Sequence, residues 1–596
     1  MKTGFAFGEH INTEKIKKRS YKSGEGNFNV RGFLFPVVLL IAGMILFFKL
    51  FHLQIVKGNE YRLLSDSNRI RTEIIHAPRG VIFDRFGIPL VQNTPGFRKI
   101  INEKETRLLS RDEALPLIAK GEENLEIDTH REYPYKDSMS HVLGYVGQIS
   151  KEELNSSEFG DYLGTDWIGK SGIERQYEHN LKGIDGKELV EVDVMGKKVR
   201  SLGTTDPIPG QDIMLTIDEK LQRAAHDATK NIKRGAVIVS KPNGEILALI
   251  SRPSYDPNLF TRDTTYRTAT DSAYQKTSDI ITDSVGQPLL NRSVSGVYPP
   301  GSTFKLVTAA AGLIDNMIDE NYKVRDTGVI KVGEFSYANW YYTNYGRTEP
   351  GELNVIRALS RSNDIFFYKL AEKVRVDKLA RTAELFGLGN ETGIDLGGEV
   401  AGLVPDPEWK KEQIGEPWYL GDTYHYGIGQ GYLLTTPLQV NMFTAVIANG
   451  GRLYQPRLLK NQEPRTKNQE LLSDKANGLI RQGMVDSCSP TIGVAWPLFK
   501  FRVKNPQLKI DGKNILEVKE ASGSAQADDL REIPVACKTG TAQHGGEKTL
   551  PHAWITLFAP VHNPEIVVTV LNEESGEGSN EAAPIAKKIL EAYFTK

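Results

Sequence analysis

A single apolar run near the start of the chain restricts its fold more than any other feature. Phe33–Phe48 is apolar without interruption, and the run continues, with one lysine, to Val56. A helix needs about 20 apolar residues to cross a bilayer, so segment 32–56 is long enough to span one. No small-residue cleavage site follows the run, which predicts an anchor that stays attached. Because segment 1–31 is basic, we expect it to be a cytoplasmic tail and the chain after residue 57 to lie outside.

Length, charge and cysteine content restrict the function classes. The 596 residues exceed one ordinary domain. Lys and Arg number 74 against 75 Asp and Glu, and the net charge of −1 argues against a nucleic-acid partner. Cys488 and Cys537 are too few for a disulfide framework or a cysteine metal cluster. The two could pair if they meet in space, and the sequence leaves that open.

One segment matches a nucleotide-binding pattern by coincidence. Residues 164–171 fit the spacing of a P-loop. A P-loop follows a buried strand, whereas residues 156–163 are polar and interrupted by glycine. Because this segment is predicted to lie outside the cytoplasm, cytosolic nucleotides would not reach it. We therefore exclude ATP-driven chemistry.

The chain beyond the apolar run divides into two regions. Residues 57–210 contain short, mixed segments that predict an α+β spacer or pedestal. A second domain is expected from residue 211, where Asp218 is suited to cap a helix. Apolar runs at 236–240 and 245–250 surround an Asn-Gly pair, which predicts a β-hairpin.

The end of the chain predicts three more strands and a helix. The strands are expected at 533–538, 552–558 and 565–571, and the helix at 582–594. Residues 300–460 between the hairpin and these strands read as mostly helical. One sheet assembled from both ends of the domain is therefore expected.

Ser302 and Lys305 are the first candidates for chemistry. The Pro-Pro-Gly run before Ser302 cannot continue a regular element, and the alanine-rich run after it favours a helix. Ser302 would then lie at a helix N-terminus, with Lys305 on the same face. A lysine held neutral in a dry pocket could take the serine proton. Taken alone, this tetrad is more often a helix-capping serine than a nucleophile with its base.

Two later segments complete a pattern. Ser362 and Asp364 form a Ser-x-Asp sequence between apolar runs, and Lys538–Thr541 follows the predicted strand 533–537 as Lys-Thr-Gly-Thr. Their hydroxyls and cation are suited to a substrate carboxylate. Gly540 would let a substrate backbone approach the strand edge closely.

The order Ser-x-x-Lys, Ser-x-Asp, Lys-Thr-Gly is that of the penicilloyl-serine transferases. With these motifs the chain resembles the class B penicillin-binding proteins, which are peptidoglycan D,D-transpeptidases. Segments 79–90, 141–147 and 427–439 resemble further signatures of that class, and the resemblance covers almost everything after residue 50. Segment 387–395 and Asp364 resemble the elongation-type branch, penicillin-binding protein 2.

The resemblance implies an architecture and a mechanism. It implies a pedestal over 57–210 and, over 211–596, a β-lactamase-like transpeptidase domain with a central antiparallel sheet flanked by helices. Ser302 would attack a D-Ala–D-Ala peptide bond, Lys305 would accept its proton, and a positive Lys538 would help to keep Lys305 neutral. The backbone N–H groups of Ser302 and Thr541 would form the oxyanion hole. The implied site comprises Ser302, Lys305, Ser362 and Lys538 for catalysis and Asp364, Thr539, Gly540 and Thr541 for substrate binding.

The resemblance also implies partners and a location. Stem peptides and β-lactams would be the ligands, and a polytopic membrane glycosyltransferase would be the protein partner. The catalytic domain would be periplasmic on a bacterial inner membrane, with no cofactor and no metal.

Two other function classes remain open. A carboxypeptidase or β-lactamase on the same fold would need a water-activating base, and segment 352–354 resembles one β-lactamase element but precedes Ser362. A non-catalytic sensor or scaffold is disfavoured because the N-terminal tail is short and the triad is complete. No Gly-x-Ser-x-Gly, His-Glu-x-x-His or Cys-x-x-Cys sequence points to another hydrolase or a zinc enzyme. Segment 493–530 resembles an insertion and predicts no role.

Overall fold

The computed structural model describes residues 30–102, 105–122, 124–193, 197–262, 266–268, 272–466, 470–518, 529–546 and 549–595. Most of the predicted cytoplasmic tail, residues 1–29, and part of the insertion, residues 519–528, lie outside the described residues. The chain forms two compact units. One unit comprises 1–73 and 188–204, and the other comprises 74–187 and 205–596.

The N-terminal helix is long and apolar enough to cross a membrane. Its candidate span, Leu34–Val56, is fully exposed and has a mean hydropathy of 2.5. The span includes α1 (Val30–Phe51) and a π-helical turn, His52–Val56, and is followed by α2 (Gly58–Arg69). Exposed apolar side chains along a whole helix are typical of a lipid-facing segment.

Short elements fill the chain up to residue 214. They are β1 (Ile70–Ile75), β2 (Ile82–Phe83), β3 (Pro89–Asn102), β4 (Glu105–Ser110), α3 (Arg111–Ala119), β5 (Leu125–Glu132), α4 (Ser140–Leu143), β6 (Val146–Gln148), α5 (Lys151–Leu154), β7 (Trp167–Gly169), α6 (Gly172–Gln176), α7 (Glu178–Leu181), β8 (Gly186–Val192), β9 (Lys198–Thr205) and β10 (Ile213–Met214). Strands β10, β2, β3 and β4 form one sheet, in which β5 also pairs with β3. The mixture of short helices and strands agrees with the predicted α+β composition.

Longer helices and strands follow. They are α8 (Glu219–Ala228), β11 (Gly235–Ser240), β12 (Ile246–Arg252), α9 (Asn258–Thr261), α10 (Thr277–Thr282), α11 (Lys305–Ile314), β13 (Val324–Arg325), β14 (Val329–Val332), β15 (Phe335–Ala338), α12 (Trp340–Tyr345), β16 (Glu352–Leu353), α13 (Val355–Ser360), α14 (Asp364–Val374), α15 (Val376–Leu385), α16 (Pro407–Gln413), α17 (Leu420–Gly427), α18 (Pro437–Ala448), α19 (Asp474–Ser487), β17 (Arg502–Lys504), β18 (Leu516–Glu517), β19 (Leu530–Glu532), β20 (Ala536–Ala542), β21 (His552–Ala559), β22 (Ile566–Asn572) and α20 (Ala583–Phe594).

The central sheet is built from both ends of this region, as predicted. Its order is β12-β11-β22-β21-β20, and every neighbouring pair is antiparallel. The predicted hairpin is β11–β12, and Asp218 caps α8 through the N–H of Leu221 at 3.0 Å. Strand β20 therefore lies at one edge of the sheet, with one row of backbone groups free of strand partners.

Helices cover both faces of the sheet. Alternate residues of β11 belong to two apolar clusters, with Ala236 and Ile238 in one and Val237 and Val239 in the other. The first cluster includes α11, α14 and the fully buried α18, and the second includes α8 and α20. A strand buried on both faces explains its unbroken apolar sequence.

The predicted position of the strand at 533–538 is wrong. Strand β20 begins at Ala536, after Pro534, and continues through the Lys-Thr-Gly-Thr segment to Ala542. Gly540 pairs in register with Trp554 of β21. The Lys-Thr-Gly-Thr segment is therefore part of the edge strand and does not follow it.

Candidate active site

The turn that carries Ser302 is fixed from several sides. Gly301, with φ of 54°, donates its N–H to the Gly429 carbonyl at 2.8 Å. Trp554 Nε1 donates to the Pro299 carbonyl at 3.1 Å. A 3₁₀ turn, Gly301–Thr303, then leads into α11, so half-buried Ser302 lies at a helix start, as the sequence predicts.

Lys305 lies in the first turn of α11 and is fully buried. Its Nζ donates to Asp364 Oδ1 at 2.6 Å, to the Ser362 carbonyl at 2.8 Å and to Ser362 Oγ at 3.4 Å. Burial lowers the pKa of Lys305, and the Asp364 carboxylate opposes that effect. The lysine is thus held in an ion pair beside the Ser362 hydroxyl.

Ser362 connects the two lysines of the site. It lies between α13 and α14 in a left-handed backbone conformation, with φ of 51°. Its Oγ accepts a hydrogen bond from Lys538 Nζ at 2.9 Å and another from Lys305 Nζ at 3.4 Å. A non-glycine residue with positive φ is strained and common at functional sites. The hydroxyl is therefore held where it can pass a proton between the two amines.

Lys538 points from β20 into the same buried space. Burial and then the charge of Lys305 hold the pKa of Lys538 well below its usual value, against an opposing effect of Asp364. The sequence predicts the reverse, with a positive Lys538 helping to keep Lys305 neutral. The difference arises because the Asp364 carboxylate lies against Lys305 and favours the charge there.

Asp364 contacts protein groups through both carboxylate oxygens. Oδ1 accepts from Lys305, and Oδ2 accepts the backbone N–H of Trp340 at 2.8 Å. Only 7% of the residue is exposed. This arrangement differs from the predicted substrate contact and makes Asp364 a partner of the candidate base. Trp340 was missed by the sequence analysis, because nothing local to it indicates that its amide reaches Asp364.

The remaining candidates lie along the edge strand. Thr539 is nearly buried and Thr541 is exposed. A Cβ on Gly540 would lie 3.0 Å from Trp554 Cβ, 3.1 Å from Thr303 Cγ2 and 3.2 Å from the Pro300 carbonyl oxygen. On the side where a Cβ would point, Gly540 therefore lies against the turn that carries Ser302, and the approach of a substrate backbone to this strand edge stays a prediction.

Cys488 and Cys537 form a disulfide, with 5.9 Å between their Cα atoms. Cys537 directly precedes Lys538, so the bond joins the residue that follows α19 to the catalytic strand. The sequence left this pairing open, because their 49-residue separation says nothing about distance in space.

Two further observations concern the P-loop-like segment and clusters of metal-ligating side chains. The Gly169 N–H of the P-loop-like segment donates to Glu178 Oε2 at 2.7 Å, so a carboxylate occupies the place a phosphate would need. No group of three His, Cys, Asp or Glu side chains in the described part of the chain is placed to hold a metal ion.

Comparison with known proteins identifies the two regions. Residues 234–591 match the family model described as penicillin binding protein transpeptidase domain. Residues 123–215 match the model described as penicillin-binding protein dimerisation domain.

Curated relatives match nearly end to end. A Haemophilus influenzae protein named peptidoglycan D,D-transpeptidase MrdA is 33% identical, over 96% of this chain and 93% of its own. The Escherichia coli K12 protein of the same name is 33% identical, over 91% of this chain and 90% of its own.

Solved structures agree with these matches. Penicillin-binding protein 2 of Pseudomonas aeruginosa, in complex with WCK 5153, has a TM-score of 0.66 and 32% identity, covering 88% of this chain and 97% of that one. Penicillin-binding protein 2 of Helicobacter pylori, in complex with MreC, has a TM-score of 0.70 and 28% identity, covering 88% and 99%. With its Ser-x-x-Lys turn packed against an edge-strand Lys-Thr-Gly, the chain belongs to the penicillin-binding proteins, in the class B branch that contains penicillin-binding protein 2.

Proposed function

We propose that this protein is a peptidoglycan D,D-transpeptidase that works through a serine acyl-enzyme on Ser302. The observation that carries the proposal is the buried chain of hydrogen bonds from Lys305 through Ser362 to Lys538, beside the Ser302 turn. The names of the relatives favour transpeptidation over the carboxypeptidase, β-lactamase and scaffold alternatives.

The first step is a proton transfer between the two lysines of the resting site. Two buried ammonium groups cannot both be held by the single carboxylate of Asp364, so one proton is shared between Lys305 and Lys538. When that proton passes through Ser362 Oγ to Lys538, Lys305 becomes a neutral base. Its Nζ can then take the proton of Ser302 as Oγ attacks.

Bond changes follow from that transfer. Ser302 Oγ bonds to the carbonyl carbon of the D-Ala–D-Ala peptide. The resulting oxyanion accepts hydrogen bonds from the backbone N–H groups of Ser302 and Thr541. The C–N bond breaks, and the leaving D-Ala amine receives a proton through Ser362. An amine of a second stem peptide then attacks the ester and regenerates Ser302, which completes the cross-link. Thr539 and Thr541 would hold the terminal carboxylate.

The serine assignment is tested by intact mass after incubation with a penicillin. We expect one stable adduct on the wild type and none on Ser302→Ala, with unchanged thermal melting. Ser360→Ala is the matched control. This buried serine lies outside the site, and its hydroxyl donates to the backbone carbonyl of Arg357 at 2.9 Å. Labelling of Ser302→Ala would overturn the nucleophile, and rapid loss of the wild-type adduct would favour a hydrolase.

We further propose that the predicted boundaries, 57–210 for the pedestal and 211–596 for the catalytic domain, describe two functional parts. The catalytic part would be periplasmic and anchored by segment 32–56, with residues 1–31 in the cytoplasm. The Cys488–Cys537 disulfide supports an oxidising compartment outside the cytoplasm. Protease digestion of intact spheroplasts tests this topology: we expect loss of the catalytic domain, and its full protection would contradict the proposal.

We also propose that the protein has partners in cell-wall synthesis. One similar structure, described as structural coordination of polymerization and crosslinking by a peptidoglycan synthase complex, has a TM-score of 0.69 at 29% identity and covers 94% of this chain and 98% of that one. We propose a polytopic membrane glycosyltransferase as the partner of the N-terminal helix. Co-purification of that enzyme in detergent should be lost when segment 32–56 is replaced by an unrelated membrane span, and its retention would argue against the helix as the contact.

A further inference from the structure

A second polar cavity lies away from the Ser302 site. It has a volume of about 970 Å³ and is walled by residues next to the ends of β12, β11 and β22, together with α8 and the turn at 135–138. The catalytic strand β20 lies at the opposite edge of the same sheet. The volume falls within the range of about 300–1,000 Å³ that is typical of small-molecule sites.

Arg252 brings to this cavity a cation that forms no salt bridge with a carboxylate in the described part of the chain, although Asp137 and Asp227 lie near enough to favour its charge. Its Nε donates to Thr229 Oγ1 at 3.0 Å and its Nη1 to Ser254 Oγ at 3.1 Å. Its Nη2 donates to the His226 carbonyl at 2.5 Å. All three acceptors are neutral, and burial lowers the pKa of Arg252 to about 10. A guanidinium in this state gains most from a carboxylate or phosphate ligand.

Two lysines of the cavity wall also lack a salt bridge to a carboxylate of the described residues. Lys136 and Lys233 form no ion pair with any carboxylate in the described part of the chain, whereas Lys230 on the same wall lies 3.3 Å from Asp227. Lys136 also has a left-handed backbone, with φ of 46°. Strain of this kind persists where the surrounding structure fixes a side chain in place.

The acidic groups of the wall are already engaged inside the protein. Burial raises the pKa of Asp137, which reduces its negative charge as the pH falls. The others each have a donor: Asp227 has Lys230, Asp283 has Tyr274, Glu573 has Arg292 and Glu574 has Arg234. The cations that remain available are Lys136, Lys233 and Arg252.

We propose that this cavity is a binding site for an oxyanion, a carboxylate or a phosphate, carried by an extended polar molecule. Arg252 would supply a fork of N–H donors at the back of the site, and Lys136 and Lys233 would hold a second charged or polar group nearer the opening. Binding here does not involve Ser302, so the site would work whether or not the proposed transpeptidase chemistry is correct.

The test is calorimetric titration of the full-length protein in detergent with two probes. Pyrophosphate represents the phosphate source, and a soluble disaccharide tetrapeptide represents the carboxylate source. We expect saturable binding of at least one probe. Lys233→Gln should weaken it about tenfold, as expected for losing one charge-assisted hydrogen bond. Lys220→Gln, which changes an exposed lysine of α8 outside the cavity wall, is the matched control and should leave the affinity unchanged.

The outcomes separate the possibilities. Binding of pyrophosphate alone identifies a phosphate ligand, binding of the peptide alone identifies a carboxylate ligand, and binding of both shows that either oxyanion fits. Absence of saturable binding by either probe overturns the proposal, as does equal weakening by Lys233→Gln and Lys220→Gln. Protein already acylated by penicillin should bind the probe equally well. Loss of binding after acylation would place the probe in the catalytic site and would also overturn the proposal.

Discussion

Lys305 and Asp364 form a buried ion pair, with Nζ 2.6 Å from Oδ1. The second carboxylate oxygen accepts the N–H of Trp340, so the same side chain contacts the candidate base and the start of α12. The Asp364 carboxylate opposes the lowering of the Lys305 pKa that burial causes. This effect means that the charge of position 364 sets how readily Lys305 becomes a base.

Replacing Asp364 by asparagine should shift the pH dependence of acylation. The substitution removes the charge that raises the pKa of Lys305, and burial then acts alone. Since acylation needs neutral Lys305, the acidic limb of the rate profile should move to lower pH, by about one to three units. Rates of fluorescent penicillin labelling across the acid-to-neutral range measure this shift. Asp315→Asn, which removes an exposed pair with Lys378, is the control. An unmoved limb would show that Asp364 does not control the base.

Alanine at position 540 should displace the nucleophile turn. The added Cβ would meet Thr303 Cγ2 at 3.1 Å and the Pro300 carbonyl oxygen at 3.2 Å, both next to Ser302. We expect slower penicillin acylation and a loss of about 1–3 kcal/mol in the free energy of unfolding, as for other overpacked sites. Labelling rates and thermal melting measure both effects. Gly546→Ala, where a Cβ has open space, should change neither. Normal acylation of Gly540→Ala would mean that the turn tolerates the shift.

Loss of the disulfide should loosen the catalytic strand. Replacing Cys488 and Cys537 together by serine should cost about 2–4 kcal/mol of stability, since the bond closes a long loop. Because Cys537 adjoins Lys538, we also expect slower acylation at temperatures well below unfolding. Thermal melts and labelling rates, with and without reductant on the wild type, measure both. If reductant lowers stability but leaves the labelling rate intact, the bond stabilises the fold without positioning Lys538.

His76 should make stability depend on pH. Burial lowers its pKa, but hydrogen bonds to Asp185 and Glu126 outweigh that effect and raise the pKa to about 9. A raised folded-state pKa stabilises the protein fully below the unfolded value near 6.5, and this contribution is lost as pH rises to about 9. The loss should reach about 3 kcal/mol.

His76→Gln tests this contribution. The variant should be less stable than the wild type at pH values below the unfolded-state pKa, and the difference should shrink towards alkaline pH. Chemical unfolding across that range measures it, with the exposed His179→Gln as control. Parallel curves for His76→Gln and the wild type would contradict the assigned charge.

Local sequence was enough to predict some elements of the fold. Two apolar runs around an Asn-Gly pair predicted the β11–β12 hairpin, and the capping residue Asp218 predicted the start of α8. The membrane-length helix followed from its unbroken apolar run. These elements depend on backbone propensities and burial patterns that a short window of sequence contains.

Other features depend on residues far apart in the chain. Asp364 could be recognised by its motif, but its contact with Lys305 needed the packing of α11 against α14. The crowding at Gly540 needed the position of Thr303, and the extension of β20 through that glycine needed its pairing with β21. Tertiary contacts of this kind override local turn signals.

The strand order of the central sheet has a consequence for how the protein is made. Strand β11 pairs with β22, so the first strand of the central sheet to be synthesised cannot pair fully until the last strand of that sheet has been made. Until then the β11–β12 hairpin presents an unpaired apolar edge, and such edges recruit other chains. Non-local pairing is also slow to form. A protein of this topology therefore needs protection until β22 has been made, and a chain that stops before β21 contains β20 but lacks the two strands that join β20 to β11.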